Sequence, residues 1–263
     1  MNKLKVLDLF SGIGGFSLGL EKTGFFETVA FCEIADYPKR VLAKHWKNIP
    51  VYDDVIKLNK QILERDGIKN IDVITGGFPC QDLSVNGLKK GLENGTRSGL
   101  FSEIIRLAGE LRPKYIIMEN VSNILSGPSW QRGGWFGTVL GALSSIGYDA
   151  EWENIPASAM GAPHRRERVW IVSYPTQERP PSLLQSRHNP KNYERWRLDN
   201  TPVLQDDFRA DGRAADCYRI RSDDGFSTIV DRLGACGNAV IPQIPEMIGM
   251  AIKDFELGRN YPC

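Results

Sequence analysis

A glycine-rich turn near the start of the chain constrains the fold most. Val6 to Phe10 reads as an apolar strand interrupted by Asp8, Ser11-Gly12-Ile13-Gly14-Gly15 as a turn, and Phe16 to Glu21 as a helix. Strand, Gly-rich turn and helix, in that order, open a nucleotide-binding βαβ unit. The next apolar run, Thr28 to Cys32, ends at Glu33. That acid lies about twenty residues beyond Gly12, where a Rossmann-type fold places a carboxylate on ribose hydroxyls. The dinucleotide fingerprint is broken, however: Ser17 stands where G-x-G-x-x-G needs its third glycine, and Gly14 and Gly15 are adjacent. A site for a nucleoside without phosphates is therefore favoured over a pyrophosphate cradle, and a nicotinamide dehydrogenase is disfavoured. Many βα turns are Gly-rich for steric reasons only, so this turn needs support from the rest of the chain.

Further along, Asp36 to Trp46 reads as a helix and Val51 to Val55 as a short strand ending in acids. Those acids either bind a ligand or cap a helix over Ile56 to Asp66. Ile71 to Thr75 is a short buried strand that runs into Gly76-Gly77-Phe78-Pro79-Cys80-Gln81. The glycines permit a sharp turn and a close approach to a ligand, and Pro79 keeps Phe78 out of helical conformation. Cys80 is thus expected just past the carboxyl end of a strand, the edge at which open α/β sheets do chemistry. The competing reading is a small buried hydrophobe.

From Asp82 to Ser98 the chain is polar, with Gly87, Gly91 and Gly95 and with Lys89, Lys90 and Arg97, as in a mobile lid or a surface loop. Gly99 to Leu111 is helical. Tyr115 to Met118 is a strand that runs into Glu119-Asn120-Val121, so Glu119 would either share the Cys80 pocket or cap a turn. Trp135 to Ile146 reads as a helix, with strands at Tyr148 to Ile155 and Val169 to Val172. His164-Arg165-Arg166-Glu167-Arg168 precedes the last strand, as a solvated turn or as a site for an anionic or carbonyl-bearing partner. From Ser173 prolines interrupt the pattern, and arginines from Arg179 to Arg221 interleave with Tyr193, Trp196, Phe208 and Tyr218. Such a mixture suits a nucleic-acid-binding appendage, or arginines paired with nearby aspartates. Regularity returns at Gly237-Asn238-Ala239-Val240-Ile241-Pro242, followed by an amphipathic helix from Gln243 to Leu257.

Composition narrows the class. The chain has 263 residues, a formal net charge of +1, five scattered cysteines and three scattered histidines. No metal-ligand spacing or disulfide framework is present, so neither is expected. The small net charge means that any basic surface must be local. No apolar run reaches the length of a membrane span, and no signal-peptide h-region precedes the first strand, so no membrane partner and an intracellular location are expected.

Five motifs occur in a diagnostic order. They are Asp8-Leu9-Phe10-Ser11-Gly12-Ile13-Gly14-Gly15-Phe16, Gly77-Phe78-Pro79-Cys80-Gln81, Met118-Glu119-Asn120-Val121, Arg165-Arg166-Glu167-Arg168-Val169 and Gly237-Asn238-Ala239-Val240. In this order the chain closely resembles the bacterial and phage C5-cytosine-specific DNA methyltransferases, from residue 4 to about 172 and again from near 231. His164 stands where that family usually has Gln, and Ala239 where Ser is frequent.

The resemblance implies a Rossmann-like α/β methyltransferase fold, a mixed sheet with one antiparallel strand and helices on both faces. Residues 1–172 and 230–263 would form the catalytic domain, with the last helix packed beside the first, and 173–229 a small irregular target-recognition region. It implies S-adenosylmethionine as methyl donor and double-stranded DNA as partner, with action as a monomer in the cytoplasm of a bacterial or phage-infected cell and a place in restriction-modification. Cys80 would add to cytosine C6, Glu119 would act at N3, and Arg168, with Arg166 nearby, would hold the O2 carbonyl. The base would be flipped out of the duplex, with the loop from Val85 to Arg97 closing over it. In the donor site Phe10 would face adenine, and the Ser11, Gly12, Gly14 and Gly15 backbone the methionine part. Glu33 would take the ribose, Ile34 would pack on adenine and Asp54 would accept from its amine, while Pro79, Leu100 and Asn238 complete the pocket. Two alternatives remain: a tRNA cytosine methyltransferase on the same fold, and a catalytically silent DNA-binding relative.

Overall fold

The apolar runs assemble into one seven-stranded sheet in the order β3-β2-β1-β4-β5-β7-β6. The computed structural model describes residues 2–78, 100–126, 134–160, 162, 165–178, 180–184 and 239–259. The strands are β1 (Leu4–Leu9), β2 (Phe26–Cys32), β3 (Val51–Tyr52), β4 (Val73–Gly77), β5 (Tyr115–Val121), β6 (Tyr148–Pro156) and β7 (Glu167–Pro175). Six α-helices are present among the described residues: α1 (Gly15–Lys22), α2 (Asp36–His45), α3 (Lys60–Arg65), α4 (Leu100–Leu111), α5 (Gly134–Ser145) and α6 (Gln243–Glu256). The strands from β1 to β5 pair in parallel, whereas β7 is antiparallel to both β5 and β6. The mixed sheet with one reversed strand is therefore the one expected.

Alternate residues of each strand feed opposite cores, as pleating requires. On one face Leu4, Val6, Val73, Ile117 and Trp170 pack against Phe16 and Leu20 of α1 and Ile248 and Ile252 of α6. On the other, Leu7, Leu9, Ile74 and Ile116 pack against Leu63 of α3, Leu107 of α4 and Val139 of α5. The last helix returns to the first, as expected. Gly19 and Gly249 make this close approach possible: a Cβ on Gly19 would collide with the Pro242 carbonyl, and one on Gly249 would lie 2.9 Å from Leu20. Leu183 and Leu184, just beyond β7, join the same core. The Glu151 carboxylate accepts from both of their amides and from Ser182 Oγ, at 2.6–3.3 Å.

Three local expectations are corrected. The helix expected over Ile56 to Asp66 covers only Lys60–Arg65, with Asn59 Oδ1 accepting from Ile62 N at 3.0 Å as its cap. Before it the chain makes a single turn, with Leu58 N donating to the Asp54 carbonyl at 3.1 Å and Arg106 of α4 donating to the Val55 and Leu58 carbonyls at 3.1 and 2.7 Å. Second, β5 and β7 are longer than their apolar runs, because their antiparallel ladder continues through Glu119↔Trp170 and Val121↔Arg168. Third, Gly76 and Gly77 lie inside β4 and not in a turn. They provide room: a Cβ on Gly76 would stand 3.2 Å from Ile104, and one on Gly77 3.4 Å from Glu119 Oε2.

Candidate active site

Strand order reverses at β1, whose neighbours are β2 and β4, so a crevice opens past the carboxyl ends of β1 and β4. The glycine turn follows β1 there. Phe10, Gly12 and Gly14 have φ of 52°, 53° and 85°, a left-handed path that glycine takes freely and Phe10 does not. The turn is held from within. Ser11 N donates to the Cys32 carbonyl at 3.2 Å and Gly14 N to the Ser11 carbonyl at 2.8 Å. Gly12 N donates to Glu33 Oε2 at 2.8 Å, and Ser11 Oγ to the Asp8 carbonyl at 2.6 Å. Those three amides are committed internally and are not offered to a phosphate, in keeping with the broken fingerprint.

Glu33 thus braces the turn, and its other oxygen accepts from Ala35 N at 2.8 Å. Each carboxylate oxygen retains a second lone pair for a hydroxyl. Ile34 beside it is 77% exposed, an apolar surface at the mouth of the crevice. Asp54 Oδ1 accepts from Ile56 N at 2.9 Å and closes its own turn, while the helix cap falls to Asn59. Leu100 opens α4, and Phe101 after it meets Phe78 at the end of β4, ring centroids 5.0 Å apart.

Beneath the turn lies Asp8, whose use is not shown by the strand pattern that it interrupts. Asp8 is fully buried, accepts from Ser17 Oγ of α1 and from Thr75 Oγ1 of β4, each at 2.7 Å, and so ties the turn to the neighbouring strand. Burial pushes its carboxyl up to about 7, against the two hydroxyl hydrogen bonds. The available signal was a lone acid inside an apolar strand.

The second half of the crevice lies on the same sheet face. Glu119 pairs with Gly77 in the parallel register, and Arg168 pairs with Val121, two residues along from Glu119. Residues two apart share a face, which brings Arg168 Nε to 2.9 Å from Glu119 Oε1. Burial raises the Glu119 carboxyl above its ordinary value, opposed by the Arg168 and Arg166 charges. Arg168 also donates to the Glu167 carbonyl at 2.8 Å. Arg166 Nη2 donates to the Ala239 carbonyl at 3.0 Å. Burial, then the Arg168 charge, lowers the Arg166 guanidinium from its ordinary value.

Asn120 points to the other face, where it is buried and donates to the Phe78 carbonyl at 2.8 Å. It therefore anchors the chain where it departs for Pro79 and Cys80, a role that no local spacing announced. Pro79, Cys80, His164, Asn238, the loop from Val85 to Arg97 and most of 173–229 lie outside the described residues. Among the described residues no group of three or more His, Cys, Asp or Glu is placed to hold a metal, and no helix is long and apolar enough to cross a membrane.

Comparison with known proteins places this geometry. Residues 4–212 match the family model for C-5 cytosine-specific DNA methylase. The Staphylococcus aureus type II methyltransferase M.Sau3AI is 38% identical over 187 residues, covering 66% of this chain and 44% of that protein. The Bacillus subtilis type II methyltransferase M.BsuFI is 29% identical over 263 residues, covering 97% of this chain and 61% of that protein. The chain thus spans roughly half the length of the relatives it matches. Among solved structures, an E. coli prophage protein described as a DNA modification methyltransferase superposes with a TM-score of 0.54 at 29% identity, covering 66% of this chain and 47% of that one. A mutant of Spodoptera frugiperda DNMT2 superposes with a TM-score of 0.55 at 23% identity, over 68% of this chain and 52% of the other, a likeness of fold.

Proposed function

Because the chain belongs to the C-5 cytosine-specific DNA methylase family, we propose that it transfers a methyl group from S-adenosylmethionine to C5 of a cytosine flipped out of duplex DNA. The observation that carries this reading is the Glu119–Arg168 pair, 2.9 Å apart at the carboxyl edge of the sheet and beside the strand that leads to Cys80. A carbonyl and a ring nitrogen of one pyrimidine edge call for a cationic donor next to a protonatable acid. Burial favours the neutral form of Glu119, the form able to donate to N3. Arg168 is the donor for O2.

Cys80 is the nucleophile of this reading. Cytosine C5 is a poor nucleophile in an electron-deficient ring. Addition of the Cys80 thiolate to C6 breaks the C5=C6 π bond and leaves an enamine across C4–C5, with the charge pushed toward N3 neutralised by a proton from Glu119, which takes it back on elimination. After methylation the C5 proton leaves to water, the C6–sulfur bond breaks and the thiolate returns. The base must be out of the stack for C6 to be reached.

The residues around the glycine turn fit the donor. A ligand without phosphates suits a turn whose Ser11, Gly12 and Gly14 amides are bound internally, and an exposed Ile34 beside the Glu33 carboxylate suits an adenosine. Phe10, Ser11, Gly12, Gly14, Gly15, Glu33, Ile34, Asp54 and Leu100 would hold it together with Pro79 and Asn238. When bound, S-adenosylmethionine supplies an electrophilic methyl on a sulfonium.

The test is incorporation of labelled methyl from S-adenosylmethionine into duplex DNA and into tRNA, with bisulfite sequencing of the DNA product. Label in DNA at cytosine C5, lost in Cys80→Ala, is expected, together with a covalent complex on DNA carrying 5-fluorocytosine at the target. Label confined to tRNA, or full turnover by Cys80→Ala, overturns the reading.

A further inference from the structure

Arg166 immediately precedes β7 with a φ of 22°, outside the regions that residues with a side chain prefer. Such a conformation persists only where its surroundings hold it. Here the Arg165 and Arg166 carbonyls both accept from Ala157 N, at 2.8 and 3.3 Å. The side chain is held separately, its Nη2 donating to the Ala239 carbonyl at 3.0 Å across 73 residues of sequence. The bond joins the motif that supplies Arg168 to the segment that leads into α6.

That segment presses on the donor turn. A Cβ on Gly15 would lie 2.5 Å from the Val240 carbonyl oxygen and 2.9 Å from Val240 Cβ. Val240 therefore sits directly on the first residue of α1, immediately after Gly14, whose φ is 85°. One covalent step separates the carbonyl that Arg166 holds from the residue that braces Gly15. Arg168, by contrast, turns its guanidinium to Glu119. The two arginines of one motif thus make their hydrogen bonds to different halves of the crevice, although the Arg166 charge also acts on Glu119.

We infer that Arg166 is a positioning residue for the donor site: through Ala239 and Val240 it fixes Gly15 and the glycine turn, and it does not bind the cytosine. The inference rests on the methyltransferase reading above. A guanidinium on a main-chain carbonyl is a charge-assisted hydrogen bond, so its loss corresponds to about a tenfold change in the equilibrium it supports.

The test uses the full chain, with S-adenosylhomocysteine as probe, measured calorimetrically without DNA. Arg166→Ala is expected to weaken probe binding about tenfold and to leave the KM for duplex DNA nearly unchanged. Arg166→Lys, which can still donate to one carbonyl, is expected to recover part of the loss and serves as the readout if the alanine variant fails to fold. Gly15→Ala displaces Val240 from the other side. Combined with Arg166→Ala it should cost less than the two changes separately, since both act on one contact. Unchanged probe affinity in Arg166→Ala, with a raised KM for DNA or a collapsed turnover, overturns the inference and makes Arg166 a base-contacting group. Strict additivity with Gly15→Ala overturns the route through Val240. Absence of probe binding to the wild-type chain overturns the methyltransferase reading itself.

Discussion

Arg168 Nε and Glu119 Oε1 stand 2.9 Å apart, with only 22% and 13% of their side chains exposed. The pair is cross-strand and diagonal, so its geometry is set by the β5–β7 register and not by a flexible loop. Each partner constrains the other: burial raises the Glu119 carboxyl, and the Arg168 charge, the first opposing influence, restrains it. Replacing Arg168 by Gln should therefore move the Glu119 titration to higher pH, read from the side-chain carboxyl by carbon-13 NMR. A downward movement, or none, would show that the guanidinium does not act on this acid.

Glu119→Gln retains size and hydrogen-bonding capacity but cannot give up a proton. Turnover should drop by roughly 10²-fold or more, the scale of a lost general acid. Donor binding should be unaffected, because no donor-site residue bonds to Glu119 among the described residues. Rapid-quench measurement of the methylation step separates this from slow product release. A rate equal to that of wild type would remove Glu119 from the chemistry.

Asp8 links pH to stability. Its folded carboxyl is raised to about 7 from an ordinary 3.8, chiefly by burial, with the Glu33 charge adding to the rise. A raised folded value means that the native state holds a proton which the unfolded chain has released. The contribution of Asp8 is thus fully present below pH 4 and is lost as pH rises through 7. Over that window the loss is on the order of a few kcal/mol. Glu153, raised to about 7 by burial, has the same sign, so the comparison must be with a variant. Relative to Asp8→Asn, wild type should lose stability between pH 4.5 and 7.5 in urea unfolding. A constant difference would show that Asp8 does not titrate in that range.

The hydroxyl of Ser173 is buried without a hydrogen-bond partner among the described residues, two residues before the end of β7. An unsatisfied buried hydroxyl costs about 1–3 kcal/mol. Ser173→Ala removes that cost and leaves a void the size of one oxygen, so unfolding stability should rise by about 1 kcal/mol. The midpoint of urea denaturation measures it. A fall in the midpoint would mean that the hydroxyl has a partner in the intact protein.

The sheet was legible because each strand is a short apolar run bounded by Gly, Pro or acids, and because the motifs at residues 8–16, 118–121 and 165–169 fall at its carboxyl edge. Glu119 and Arg168 both stand at the ends of apolar runs, but only the family resemblance assigned them to one site. The helix expected over Ile56 to Asp66 begins only at Lys60, where Asn59 caps it and Arg106, on a different helix, bonds to the Val55 and Leu58 carbonyls before it. Such a distant partner leaves no trace in the local pattern. The bond from Arg166 to Ala239 is hidden likewise, since 73 residues separate the partners. Asp8 did leave a trace, a charge inside an apolar strand, but only the two hydroxyls beside it reveal its use. Cys80 lies outside the described residues, so its role rests on the motif and on the anchored Phe78 before it.

Gly19 sets two effects against each other. It lies within α1, where alanine is preferred to glycine by about 1 kcal/mol. A Cβ there would collide with the Pro242 carbonyl and lie 3.0 Å from Glu246 N and Pro245 Cβ. Most of these atoms are backbone at the entrance to α6, which cannot swing aside as a flexible side chain could. Overpacking of this kind costs about 1–3 kcal/mol or more, so it outweighs the helical preference. Gly19→Ala should be destabilising by about 2 kcal/mol. It should also weaken S-adenosylhomocysteine binding, because the displaced segment includes Val240, which rests on Gly15. Thermal unfolding and calorimetric titration of the same preparation check both parts. An increase in stability would mean that α6 yields easily and that helix α1 is not seated against it as described.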